Sequence, residues 1–203
     1  TRRLFASAVV QAPRSVLVRT GLGGFAITDE RWEDARRELT TASQIYPEYS
    51  HLFYLQGTLA EHDKDFAKAE DFYRRSAAIN PTGPAVLSLA NLLGIRGRFA
   101  EAEPLLKTVV ELAPLDEYVI RYAYTEIVLG KSEVALEIIQ RYYGNDLNDS
   151  ERSAVAGTAY FQLKKYPEAN KVLDLVFFVG CAPTISEDNI EYIESILKHI
   201  KNT

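Results

Sequence analysis

Prolines at Pro13, Pro47, Pro81 and Pro114 stand 34, 34 and 33 residues apart, and this recurrence limits the fold more than any other feature of the chain. Alanines Ala35, Ala69, Ala102, Ala135 and Ala169 repeat with steps of 34, 33, 33 and 34. Three residues before them stand Trp32, Phe66, Phe99, Ser132 and Tyr166. Small residues Gly23, Gly57, Ala90, Ala123 and Gly157 precede the same alanines by twelve. A period of this length marks one supersecondary unit that cannot bury its apolar face alone and stacks on copies of itself.

The unit over 50–81 shows what each copy contains. Phe53, Gln56, Gly57 and Ala60 share one face of a first helix, and Phe66, Ala69, Phe72, Tyr73 and Ala77 share one face of a second. The polar run His62-Asp63-Lys64 makes the turn between them. Pro81 ends the second helix because it lacks an N–H and clashes with the preceding turn. Pro104 and Pro167 are expected in the first turn of their helices, where a missing N–H is harmless.

The ladders have a packing rationale. A small residue where two helices cross lets the backbones approach, and overfilling it strains the core. The aromatic before each alanine is expected to fill the wedge between neighbouring units. Thr20 to Ala26, TGLGGFA, places three glycines in the first unit's first helix, each worth about 1 kcal/mol against helix relative to alanine, so that helix is expected to be the most mobile or distorted.

These units resemble tetratricopeptide repeats: a small residue on the first helix, then alanine, an aromatic and a terminal proline on the second. The fourth unit departs from the pattern, with Ser132 in place of the aromatic and Glu126 in place of a tyrosine. The resemblance implies an all-α fold, a right-handed superhelical α-solenoid of antiparallel helix pairs. One array over 1–203 is expected, with repeats at 16–47, 50–81, 83–114, 116–147 and 150–181. Residues 1–13 read as the second helix of a truncated repeat, so the N-terminal end, which lacks methionine like the whole chain, reads as cut. Residues 184–203 read as a capping helix, opened by the capping-box run Thr184-Ile185-Ser186-Glu187.

Chemistry is hard to find. No apolar run approaches the roughly 18 residues of a membrane span. A net charge of −5 with interspersed signs argues against nucleic acid. His51, His62 and His199 are scattered without metal-ligand spacing, Gly21-Leu22-Gly23-Gly24 fails the phosphate-loop pattern, and Asp146, Asn148 and Ser150 lack the glycine and closing glutamate of a calcium loop. His51, at the start of a first helix, has a binding role as its minority reading. Cys181 has no histidine placed beside it and reads as a buried small hydrophobe. The expectation is a non-catalytic chain with no metal and no cofactor.

A surface remains. In the resembled family the first helices line the concave groove. This gives Tyr54, Leu55 and Thr58 in the second unit, Leu87, Ser88 and Asn91 in the third, Ile120, Arg121 and Tyr124 in the fourth, and Val155, Thr158, Phe161 and Gln162 in the fifth. Such a groove suits an extended or helical peptide of a partner protein. The lysine-rich pattern of a chaperone-tail clamp is absent, with only Asn91 and Arg121 offering that chemistry. Two other classes stay open. One is the soluble tail of a larger, membrane-bound glycosyltransferase or polymerase-type enzyme, and the other is self-association through the N-terminal end, where Arg2, Arg3, Arg14 and Arg19 precede the first acid, Asp29.

Overall fold

Pairing is dictated by turns. A computed structural model describes residues 11–147, 149–165, 167–169 and 171. Over these the chain forms α1 (Val16–Thr28), α2 (Trp32–Ile45), α3 (Ser50–His62), α4 (Phe66–Ile79), α5 (Pro84–Ile95), α6 (Phe99–Leu112), α7 (Asp116–Val128), α8 (Ser132–Tyr143) and α9 (Ser150–Gln162). The chain divides into two compact units, Thr1–Gly130 and Lys131–Thr203. The expected helix at 1–13, the wedge residue Tyr166, Asn148, Cys181, His199 and the cap at 184–203 lie wholly or mainly outside the described residues.

Each first helix ends the same way. Glu30, Lys64, Gly97, Gly130 and Lys164 all have φ between 58° and 77°. These positions step by 34, 33, 33 and 34, in register with the alanine ladder. One residue later the chain bonds back to the helix: the N–H groups of Arg31, Asp65, Arg98 and Lys165 donate to the carbonyls of Ala26, Ala60, Leu93 and Tyr160 at 2.8 to 2.9 Å. This left-handed cap satisfies orphan carbonyls and reverses the chain sharply enough to lay the second helix against the first.

In the first unit α1 packs on α2, α3 on α4 and α5 on α6. Each second helix then packs on the next first helix, and α1 also touches α3, so first helices form one layer. Within the pairs, the close approach is real: a Cβ on Gly23 would lie 2.6 Å from Cδ2 of Leu39, and one on Gly57 would lie 2.4 Å from Cε1 of Tyr73. Ala35, Ala69, Ala102 and Ala135 are buried to 1% exposure or less. At the far end of the α3–α4 pair, Ser76 Oγ donates to the Ser50 carbonyl at 2.8 Å. In the second unit α8 packs on α9, and Asp149 caps α9 by accepting from the N–H groups of Glu151 and Arg152.

Three local expectations are corrected. The glycine-bearing α1 is a continuous helix over Val16–Thr28, because Gly23 is a contact point and not a weakness. Pro104 lies inside α6, beyond its first turn; it and Ala100, whose carbonyl loses the bond, are both exposed, so water replaces the missing partner. Phe66 is 43% exposed and does not fill a wedge, whereas Trp32 and Phe99 are partly buried.

Candidate interaction surface

The layer of first helices carries the residues that the sequence assigns to a groove. On α3, Tyr54 and Thr58 are half-buried. The Tyr54 ring lies 5.8 Å from the His51 ring and 6.2 Å from that of Tyr73. His51 keeps an exposed surface, yet its ring is crowded by its aromatic neighbours, and that desolvation lowers its pKa below the ordinary imidazole value. Beneath, Tyr73 donates to Glu61 Oε2 at 2.7 Å, and burial first, then that carboxylate, raises its phenol pKa. Thr58 spends its hydroxyl on the Tyr54 carbonyl at 3.2 Å.

Leu55 belongs elsewhere. It is 5% exposed and packed with Leu39, Ala42, Leu52 and Leu59, one turn from the layer's accessible face. The residue after a groove position is recruited into the contact with α1, where Gly24 leaves room for its methyl groups. On α5, Leu87, Ser88 and Asn91 are half-buried. The side-chain carbonyl oxygen of Asn91 is fully buried without a hydrogen-bond partner.

On α7, Ile120 is half-buried, Arg121 is exposed and Tyr124 is 42% exposed. Behind them Tyr118 is anchored by donating to the Gly83 carbonyl at 3.4 Å. Tyr122 is held near the buried Glu126; desolvation, then that carboxylate, pushes its pKa up to about 12. Ile95, 81% exposed, and Val128, 41% exposed, extend the same faces of α5 and α7. Sequence reasoning missed both, although each follows Asn91 or Tyr124 by four residues, the spacing that keeps a helix face. Phe161, 42% exposed, and Gln162 belong to the second unit. There the Gln162 carbonyl accepts from Ser132 Oγ at 2.5 Å, so it ties α9 to the start of α8.

Among the described residues no cluster of His, Cys, Asp and Glu is arranged to hold a metal ion, and no helix is long and apolar enough to cross a membrane. Residues 26–84, which cover α2, α3, α4 and their junctions, match the family model of the tetratricopeptide repeat. Over these residues the chain matches tetratricopeptide repeats.

Over 92 residues, 44% of its length, the chain is 33% identical to the type IV pilus assembly protein PilF of Pseudomonas aeruginosa. That match spans 36% of the PilF sequence, so the chain corresponds to about a third of that relative. Among solved structures, YrrB, described as a TPR protein with an unusual peptide-binding site, superposes with a TM-score of 0.72 at 15% identity, covering 94% of this chain and 97% of YrrB. Pseudomonas aeruginosa PilF gives 0.68 at 16% identity, with 83% and 78% covered. MamA gives 0.68 at 13% identity, with 83% and 98% covered. At such identities the likeness is one of fold. Tetratricopeptide-repeat arrays are in general protein–protein interaction scaffolds, and this chain has their architecture.

Proposed function

We propose that the chain is a non-catalytic scaffold that holds a peptide segment of a partner protein against the first-helix layer of the unit Thr1–Gly130. Tyr54, Leu87, Ile120 and Tyr124 supply apolar contact, and Asn91 supplies a hydrogen-bond acceptor. The observations that carry this reading are the accessible apolar face of α7, where Tyr124 and Val128 are exposed, and the unpartnered side-chain carbonyl of Asn91 on α5, since a desolvated acceptor costs free energy until an N–H reaches it. A peptide backbone offers such donors at regular spacing.

The local identity to PilF favours a partner from type IV pilus assembly. The test is capture of pilus-assembly proteins of the same organism by the immobilised chain and by its Tyr124→Ala variant. Loss of capture with a melting temperature within a few degrees of the parent supports the reading. Equal capture by both proteins rejects Tyr124 as a contact, and collapse of the fold makes it a core residue instead.

A further inference from the structure

Arginines in the first unit are almost all tied down. Arg19 pairs with Glu38, Arg36 with Asp63, and Arg31 and Arg37 with Asp34. Arg74, Arg96 and Arg98 converge on Glu70, and Arg75 reaches Asp71. Arg121 is the exception among the described residues from Val16 to Gly130. It is exposed, no carboxylate lies within ion-pair distance of it, and Glu117, one turn earlier on the same helix, is not engaged.

Its neighbourhood makes that exception consequential. Ile120 lies beside it, with Tyr124 and Val128 three and seven residues further along the same face of α7. A partner that covers these apolar side chains also strips water from the guanidinium. Burying an unpaired charge is expensive, so an apolar ligand without an acid is rejected. A carboxylate matches the planar donor fork of arginine and turns the penalty into a charge-assisted bond.

We infer that the segment held by this layer is amphipathic and carries an internal aspartate or glutamate that pairs with Arg121, flanked by apolar residues that cover Tyr124 and Val128. An internal acid fits better than a chain-terminal carboxylate. The apolar face of α7 runs on past Arg121 through Tyr124 to Val128, so the ligand must continue beyond its acid. A single arginine with Glu117 nearby is also a poor site for a terminal carboxylate. This inference rests on the docking reading proposed above.

Random linear peptides displayed on phage, with free and with amidated C-termini, are selected on the full chain and on its R121E variant. The expected result is internal Asp or Glu among apolar residues for the parent, and Lys or Arg in its place for R121E. For a selected peptide, Arg121→Gln and the peptide's own Glu→Gln each weaken binding about tenfold, and the two changes together weaken it little further. Acid found only at a free C-terminus, or identical selections on both proteins, overturns the inference. Peptides that lose binding with Tyr124→Ala but ignore R121E sink the acid alone. Peptides insensitive to both, or no peptides at all, take the docking reading down with it.

Discussion

Tyr73 occupies the space that a side chain at Gly57 would need: a Cβ there would sit 2.4 Å from the tyrosine's Cε1 and 2.5 Å from its Cδ1. Tyr73 is 1% exposed and its hydroxyl is fixed on Glu61, so the ring has no easy retreat. Gly57→Ala is therefore expected to destabilise the chain by about 1–3 kcal/mol, despite alanine's better helix propensity. The third repeat has Ala90 and Leu106 at the corresponding places, both buried. In a Tyr73→Leu background Gly57→Ala should accordingly become neutral or stabilising by up to about 1 kcal/mol. Urea denaturation of the four proteins closes the cycle, and equal effects in both backgrounds would refute the steric account.

Glu70 joins the second and third repeats by accepting from Arg98 at 2.8 Å, from Arg74 at 2.8 Å and from Arg96 at 3.3 Å. Burial pushes its pKa up, but the bonds from Arg98 and Arg74 outweigh that and leave it below the usual glutamate value. A carboxyl whose folded pKa is depressed contributes stability above its unfolded pKa, and this is lost as pH falls through the folded value. Glu70→Gln should lower stability at pH 7 by about 1–2 kcal/mol. The difference should vanish once the pH lies below both values. A gap between the two proteins that persists in strong acid would assign the loss to packing.

The repeat length, the paired helices and the crossing glycines were legible in sequence because they are set by local periodicity and by one contact per repeat. Gly23 and Gly57 announce their role by having no side chain where a helix face asks for one. Leu55 and Phe66 were misread for a common reason. Whether a residue at the border of a helix face is buried depends on the adjoining helix, as Leu55 meeting α1 shows. The ion pairing that leaves Arg121 alone was equally hidden, since Arg36–Asp63 and Arg98–Glu70 join residues 27 and 28 apart on different helices.

Trp32 and His62 report directly on the joint between the first two repeats. Their rings stack at 3.7 Å between centroids and 16° between planes, and His62 Nδ1 lies 3.2 Å from Asp63 Oδ1. His62 closes α3 beside the turn, and the tryptophan makes that corner an interface. Trp32 is the single tryptophan of the chain, so its emission is a clean probe. Removing the stacked ring in His62→Ala should therefore change the intensity of that emission. Unchanged emission in that variant would refute the stacking. Trp32→Ala should lower stability by about 1–3 kcal/mol, since the ring also packs against the cluster of Leu39, Leu52 and Leu59.

Left-handed caps provide a last test in which two repeats answer with opposite signs. Lys64, with φ of 61°, and Gly97, with φ of 72°, perform the same turn in successive repeats. A side chain in this conformation costs about 1–2 kcal/mol that glycine avoids, offset by the greater backbone freedom of glycine in the unfolded chain. Lys64→Gly should thus raise stability by about 0.5–1 kcal/mol, and Gly97→Lys should lower it by about 1 kcal/mol. No atom lies within 4 Å of a Cβ built at Gly97, so the penalty there is backbone conformation alone and not a clash. Thermal unfolding of both variants reads the signs. Destabilisation by Lys64→Gly would mean that the lysine contributes something beyond its backbone angle, and the shared cap would no longer explain both turns.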